Sequence, residues 1–163
     1  MDLKQFLELF NPLPGNHYLL VTDKIDEVAF ALEALLEKVG GELHIALYED
    51  TPSELPPKLN AAKLQSIQNK AQPFRALPRD NDIVIFKDIQ QLHKNFELLL
   101  KIAYTTLANN ADIIVMQKSD SMDVEATKEL LERYEFRAPN AIDLLKGYDL
   151  VMAKKMHMWG NGL

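Results

Sequence analysis

Residues 141–153 read Ala141-Ile142-Asp143-Leu144-Leu145-Lys146-Gly147-Tyr148-Asp149-Leu150-Val151-Met152-Ala153. Two apolar runs, Ala141–Leu145 and Tyr148–Ala153, are separated only by Lys146-Gly147. A parallel pair needs a crossover of a dozen or more residues, so two strands this close along the chain must be antiparallel. Working back from this hairpin, Val124, Thr127, Leu131 and Tyr134 keep a helical period, and Ala111-Asp112-Ile113-Ile114-Val115-Met116 reads as a buried strand. Leu92, Phe96, Leu99, Leu100, Ala103 and Leu107 predict a helix of about four turns before it. Asp82-Ile83-Val84-Ile85-Phe86, β-branched and nearly all apolar, is a central strand.

The first half has the same rhythm. Leu3, Phe6, Leu7 and Phe10 place a short apolar stripe on an N-terminal helix that ends before Asn11-Pro12-Leu13-Pro14-Gly15. His17-Tyr18-Leu19-Leu20-Val21 is a first buried strand, and Asp23 then suits the N-cap of a helix. Ile25, Val28, Ala29, Leu32, Leu35, Leu36 and Val39 carry that helix, and Gly40-Gly41 stops it. Leu43–Tyr48 is a second strand. Five of the eight prolines fall between Pro52 and Pro78, around a helix expected near Lys58–Gln68 and a weak strand at Pro73–Leu77. The alternation argues for a single three-layer α/β domain over residues 1–163: a mostly parallel sheet with helices on both faces and a C-terminal antiparallel hairpin. Residues 1–15 form the N-terminal helix and turn, and 156–163 a C-terminal tail.

Composition narrows the function classes. A chain of 163 residues, 47% hydrophobic, buries roughly 68–70% of its unfolded surface without staples. No cysteine means no disulfide framework, thiolate metal site or cysteine nucleophile. Neither a signal-peptide core at Met1–Phe6 nor an apolar run of membrane-spanning length is present, so a cytoplasmic location is expected and no membrane association. Eighteen basic against 24 acidic residues oppose neutralisation of a phosphate backbone, and no nucleic-acid partner is expected.

The order of helix, repeated strand–helix units and closing hairpin resembles the Rossmann-like fold of class I S-adenosylmethionine-dependent methyltransferases, over about Tyr18 to Lys155. Arg75-Ala76-Leu77-Pro78-Arg79-Asp80-Asn81-Asp82-Ile83-Val84 looks like the family's segment joining the third strand to the fourth. Asp82 matches the aspartate that opens the fourth strand there, and Arg75 stands where the family often has the acid that recognises the adenine amino group. Glu49-Asp50 follows the second strand, where the resemblance implies a carboxylate on ribose hydroxyls. The first turn departs most: Leu20-Val21-Thr22-Asp23-Lys24-Ile25-Asp26 lacks the family's glycine-rich loop, and no glycine lies between Asn16 and Val39. Only a residue without Cβ lets that backbone bend tightly onto a ligand, so Lys24 and Ile25 would fill the cofactor's place. The same absence counts against NAD and FAD, and no phosphate-binding GxxxxGK[ST] run exists. No cofactor is therefore expected, and S-adenosylmethionine is the one the resemblance implies if any binds. Asn11-Pro12-Leu13-Pro14 is a helix-ending turn, because the family's catalytic Asn-Pro-Pro motif follows the fourth strand, where this chain has Lys87-Asp88-Ile89.

In open α/β sheets ligands sit outside the carboxyl ends of the parallel strands. Here that rim comprises Thr22, Asp23, Lys24, Glu49, Asp50, Lys87, Asp88, Lys118, Ser119 and Asp120, with more carboxylates than lysines. Such a rim repels phosphates and suits a cation such as a sulfonium or polyamine, with Asp23, Glu49, Asp50 and Asp88 as its binding residues. Helix capping by Asp23 and Asp120 is the competing explanation. His93 and Glu97, four apart on one helix face, and Glu42 and His44, alternating on one strand face, have spacings suited to an acid–base pair or part of a metal site, though each lacks a third group in sequence. No residue is assigned a catalytic role, and no serine has a nucleophile-elbow context.

The tail Met152–Leu163 holds three of the six methionines and the only tryptophan. Met156–Trp159 suits a homodimer seam or another protein partner, with a cover over its own domain as the alternative. The expectation is a methyltransferase-like binding or assembly module without catalysis; a methyltransferase with an atypical cofactor loop and a small-molecule sensor are the alternatives.

Overall fold

The computed structural model describes residues 1–52, 54–59 and 61–156. Seven strands form one sheet: β1 (His17–Thr22), β2 (Glu42–Tyr48), β3 (Lys63–Ile67), β4 (Asn81–Lys87), β5 (Leu107–Lys118), β6 (Arg137–Ile142) and β7 (Tyr148–Lys154). Their order is β3-β2-β1-β4-β5-β7-β6. Strands β1 to β5 are mutually parallel, and β7 runs antiparallel to both β5 and β6. The expected closing hairpin is present, and the strand order reverses between the parallel neighbours β1 and β4, which opens a crevice at their carboxyl ends.

Among the described residues four helices cover the sheet: α1 (Lys4–Leu7), α2 (Glu27–Glu37), α3 (Phe96–Thr106) and α4 (Val124–Arg133). The strand alternation divides the core in two. Leu20, Ile45, Ile85 and Ile114 point to the face where Phe6 of α1 and Val28, Leu32 and Leu36 of α2 are buried. Leu19, Val21, Val84 and Ile113 point to the opposite face, against Phe96, Leu99 and Leu100 of α3 and Leu131 of α4. At about 1.5–3 kcal/mol for each fully buried large side chain, these two layers are the main stabilising contribution.

Between β3 and β4 no helix forms; residues 68–80 cross the α3 face as an extended loop. Phe74 anchors that loop in the core, and Gln65 of β3 clamps it, accepting from the Arg75 amide at 2.7 Å and donating to its carbonyl at 3.0 Å. Pro73–Leu77 is thus held by a side chain rather than by strand pairing. The helix expected near Lys58–Gln68 is also absent: the segment makes one 3-10 turn at Pro57–Leu59 and then β3. Its Leu, Ala, Lys and Gln content favours a helix, but pairing with the exposed edge of β2 outweighs that local preference. The N-terminal helix is shorter than its apolar stripe, and α3 starts at Phe96 rather than near Leu92. The sixth strand is Arg137–Ile142, earlier than Ala141–Leu145, with Leu145 in the core of the connecting turn.

Both expected aspartate caps move three residues. Asp26, not Asp23, caps α2, accepting from Val28 N at 3.1 Å. Asp123, not Asp120, caps α4, accepting from Ala126 N at 3.0 Å. In each case the chain takes another half-turn beyond the strand before the helix begins, so the later aspartate is the one that meets free amides.

Candidate functional site: the crevice at the carboxyl ends

The β1–α2 turn is built without glycine and without a left-handed residue. Thr22 is buried; its hydroxyl donates to the Lys24 carbonyl at 3.1 Å and accepts from the Lys24 amide at 3.4 Å. Asp26 then enters α2 from an extended conformation. This wide turn brings the Asp26 carboxylate over the end of β4, where it meets Lys87.

Lys87 has a fully buried side chain. Its ammonium lies 2.8 Å from Asp26 Oδ2, 3.2 Å from Asp88 Oδ2 and 5.1 Å from the centre of the Tyr148 ring. The Tyr148 hydroxyl donates to Asp88 Oδ2 at 3.0 Å, and the Lys118 amide to Asp88 Oδ1 at 3.2 Å. Asp88 sits at φ 59, a left-handed conformation that aspartate tolerates, with its own amide bonded to Met116 O. Burial alone would push the Lys87 ammonium down, but Asp26, Tyr148 and Asp88 together hold it above the ordinary lysine range. The charge is therefore retained, and a hydrogen-bonded lock closes the β1/β4 switch point from within.

Beside the lock lies a cavity of about 350 Å³ lined by Asp23, Lys24, Ile25, Leu47, Glu49, Glu54 and Pro56. One Asp23 oxygen, Oδ1, is buried and has no hydrogen-bond partner. Desolvation and the nearby Asp88 charge raise the Asp23 carboxyl above its usual value, against a lowering effect from Lys87 and Lys24. Glu49 accepts from the Ser66 hydroxyl at 2.8 Å, which in turn accepts from Gln68.

Of the four expected binding residues, the structure brings Asp23 and Glu49 together in this cavity. Asp50 is largely exposed and pairs with Lys70 at 3.7 Å, and Asp88 is committed to the lock. Lys118, Ser119 and Asp120 are exposed on the far rim. Asp26, Tyr148 and Glu54 were not anticipated. The available signal is Lys87 itself, a charged residue closing the apolar run Ile83–Phe86, which demands buried counter-charges. His93 lies before α3 rather than on it; it is buried, accepts from Asn95 N at its Nδ1 and meets Gln72 O at 3.3 Å, while Glu97 pairs with Arg133. Those two do not form an acid–base pair.

Solved structures share this architecture. Haemonchus contortus phosphoethanolamine N-methyltransferase 2, in complex with S-adenosylmethionine, superposes with a TM-score of 0.69 at 11% identity, over 95% of this chain and 52% of that one. An Aquifex aeolicus S-adenosylmethionine-dependent methyltransferase gives 0.68 at 13% identity, over 95% and 90% of the two chains. The fold is that of the class I methyltransferases. A chain from the Haloferax volcanii complex with the Trm112 methyltransferase activator gives 0.69 at 10% identity, over 95% and 88%. This chain thus spans about half of the Haemonchus enzyme and nearly the whole of the other two. No family model and no curated protein sequence matches it.

S-adenosylmethionine is the cofactor this fold implies, and the residues present do not fit it in the usual way. The turn that must approach the ligand carries the side chains of Asp23, Lys24 and Ile25 where the fold's usual glycines would leave open space, and the Lys87 ammonium, paired with Asp26 and Asp88, lies at the carboxyl end of β4. What remains is the smaller acidic cavity beside β1 and β2.

The Met156–Trp159 tail falls almost wholly outside the described residues. Met156 is exposed and follows β7 at the amino end of the sheet, away from the crevice. Among the described residues no helix is long and apolar enough to cross a membrane.

Proposed function

We propose that the chain is a methyltransferase-fold binding module whose crevice takes a compact organic cation, such as a diamine or polyamine, and does not carry out methyl transfer. The observation that carries this reading is Asp23, which lines the cavity shared with Glu49 and Glu54 and whose buried Oδ1 has no hydrogen-bond partner. Three carboxylates against the single ammonium of Lys24 favour a positively charged occupant, and an ammonium donor would satisfy the orphaned oxygen. The volume suits a small ligand. Methyl transfer needs donor and acceptor in near-attack geometry, and a turn filled by the side chains of Asp23, Lys24 and Ile25 hinders the close backbone approach that holding a donor requires.

The test is calorimetric titration of the full chain with putrescine, spermidine, S-adenosylmethionine and S-adenosylhomocysteine. A saturable diamine or polyamine signal, lost in Asp23→Asn, supports the reading. Saturable S-adenosylmethionine binding lost in Glu49→Ala overturns it in favour of a methyltransferase with an atypical loop. Because only ionised Asp23 attracts a cation, affinity rises with pH through the raised value of that carboxyl.

A further inference from the structure

At the opposite end of the same strands a second group of chemistry-bearing side chains converges. His17 opens β1, Glu42 opens β2, and the two are partners in the parallel register; His44 follows two residues on, on the same face. Glu42 Oε2 lies 3.4 Å from His17 Nε2, and Glu42 Oε1 lies 3.4 Å from His44 Nε2. One ligand atom from each of the three residues lies within 4.8 Å of the others. The imidazole rings stack at 5.6 Å and 28°. The other nitrogen of His17, Nδ1, meets Asp80 Oδ1 at 3.3 Å, and the His17 amide donates to Asp82 Oδ2.

We propose that His17, Glu42 and His44 bind a divalent transition-metal ion of the zinc class at the amino end of the sheet, with Asp80 as the positioning residue for His17. Two imidazoles and a carboxylate are the donor set of three-ligand zinc sites. Around an ion with bonds of about 2.1 Å, tetrahedral donors lie about 3.4 Å apart; Glu42 keeps that spacing from each histidine through a different carboxylate oxygen, and a small rotation of the carboxylate would bring one oxygen to both. A carboxylate on the far nitrogen of a ligating histidine fixes its tautomer and orientation, and Asp80 stands there. His44 Nε2 is buried and, although 3.4 Å from Glu42 Oε1, is not aligned for a hydrogen bond with it, so an ion between the two would satisfy that nitrogen. The Lys63 ammonium, 2.8 Å from Glu42 Oε1 and mostly exposed, is the resident counter-charge; its flexible stem lets it leave when an ion arrives. His44 and Asp80 also border an open cavity of about 570 Å³ lined by Phe74, Arg75, Leu77 and Ile102, towards which a fourth coordination position would open.

The test uses the untagged full chain, stripped with a chelator and dialysed against zinc. One zinc per chain is expected. Saturable binding should be lost in His44→Ala and in Glu42→Gln, checked by circular dichroism for folding, and weakened about tenfold or more in Asp80→Asn. Lys63→Ala should tighten binding, which a merely folded or unfolded chain would not show. Cobalt in place of zinc should give the visible absorption of a four-coordinate ion. His157→Ala, which removes the histidine of the C-terminal tail, should leave stoichiometry unchanged. No bound zinc in the wild type, or binding that survives in folded His44→Ala and disappears in His157→Ala, overturns the proposal.

Discussion

The two ends of the parallel strands hold charge in opposite ways. At the carboxyl ends the cation is part of the chain: Lys87 is fully buried and its carboxylate partners are already satisfied. At the amino ends a carboxylate faces two imidazoles, and the Lys63 ammonium reaches it from solvent. A built-in cation pre-empts a ligand, whereas a carboxylate with a displaceable counter-charge invites one. The acidic cavity beside the lock falls between these cases, because Asp23 lies close to Lys87 yet one of its oxygens remains without a partner.

Removing the built-in cation tests that contrast most severely. Lys87→Met strands the buried Asp88 carboxylate and frees Asp26, and should cost about 3–5 kcal/mol in urea unfolding. A cost under about 1 kcal/mol would mean the lock is solvated and the crevice open. Gly41→Ala, next to Glu42, should come second. An added Cβ would meet the Asn16 carbonyl at 2.7 Å and Leu36 at 2.8 Å, so the starts of β1 and β2 must shift, at about 1–3 kcal/mol, and zinc affinity should fall with them.

Asp23→Asn should move the other way, stabilising the chain by about 1 kcal/mol at neutral pH while abolishing cation binding. The sign follows from proton linkage. The Asp23 carboxyl lies above its unfolded value when folded, so the folded state takes up the proton more readily. Stability contributed by this group is therefore greatest below the ordinary aspartate range and falls as pH rises through the raised value. The advantage of Asn should vanish as the buffer is acidified, and an advantage independent of pH would contradict the assignment. The exposed Arg133–Glu97 pair marks the floor of the scale: Arg133→Ala should leave the urea midpoint unchanged.

The parts of the fold legible in sequence were those in which one segment carries its own pattern. The apolar runs of β1, β2, β4, β5 and β7 and the periodic faces of α2, α3 and α4 each identify a buried element without knowledge of the rest. Strand β3 was not legible, because a half-exposed edge strand built from Lys63-Leu64-Gln65-Ser66-Ile67 becomes a strand only through its pairing with β2. The sites divide in the same way. Asp23 and Glu49 could be placed from the ends of their strands, but the lock joins residues 26, 87, 88 and 148, which only the topology brings together. The spacing of Glu42 and His44 placed them on one strand face, and their third partner, His17, required the register of β1 against β2.

Whether the chain's own lysine closes the switch point beside the small acidic cavity is decided by calorimetric titration with S-adenosylmethionine beside putrescine. Detection should reach affinities of about 100 µM. The structure predicts saturable heat with putrescine, lost in Asp23→Asn, and none with S-adenosylmethionine at millimolar concentration. Saturable S-adenosylmethionine binding in the wild type that is lost in Glu49→Ala would show that the lock opens to admit the cofactor.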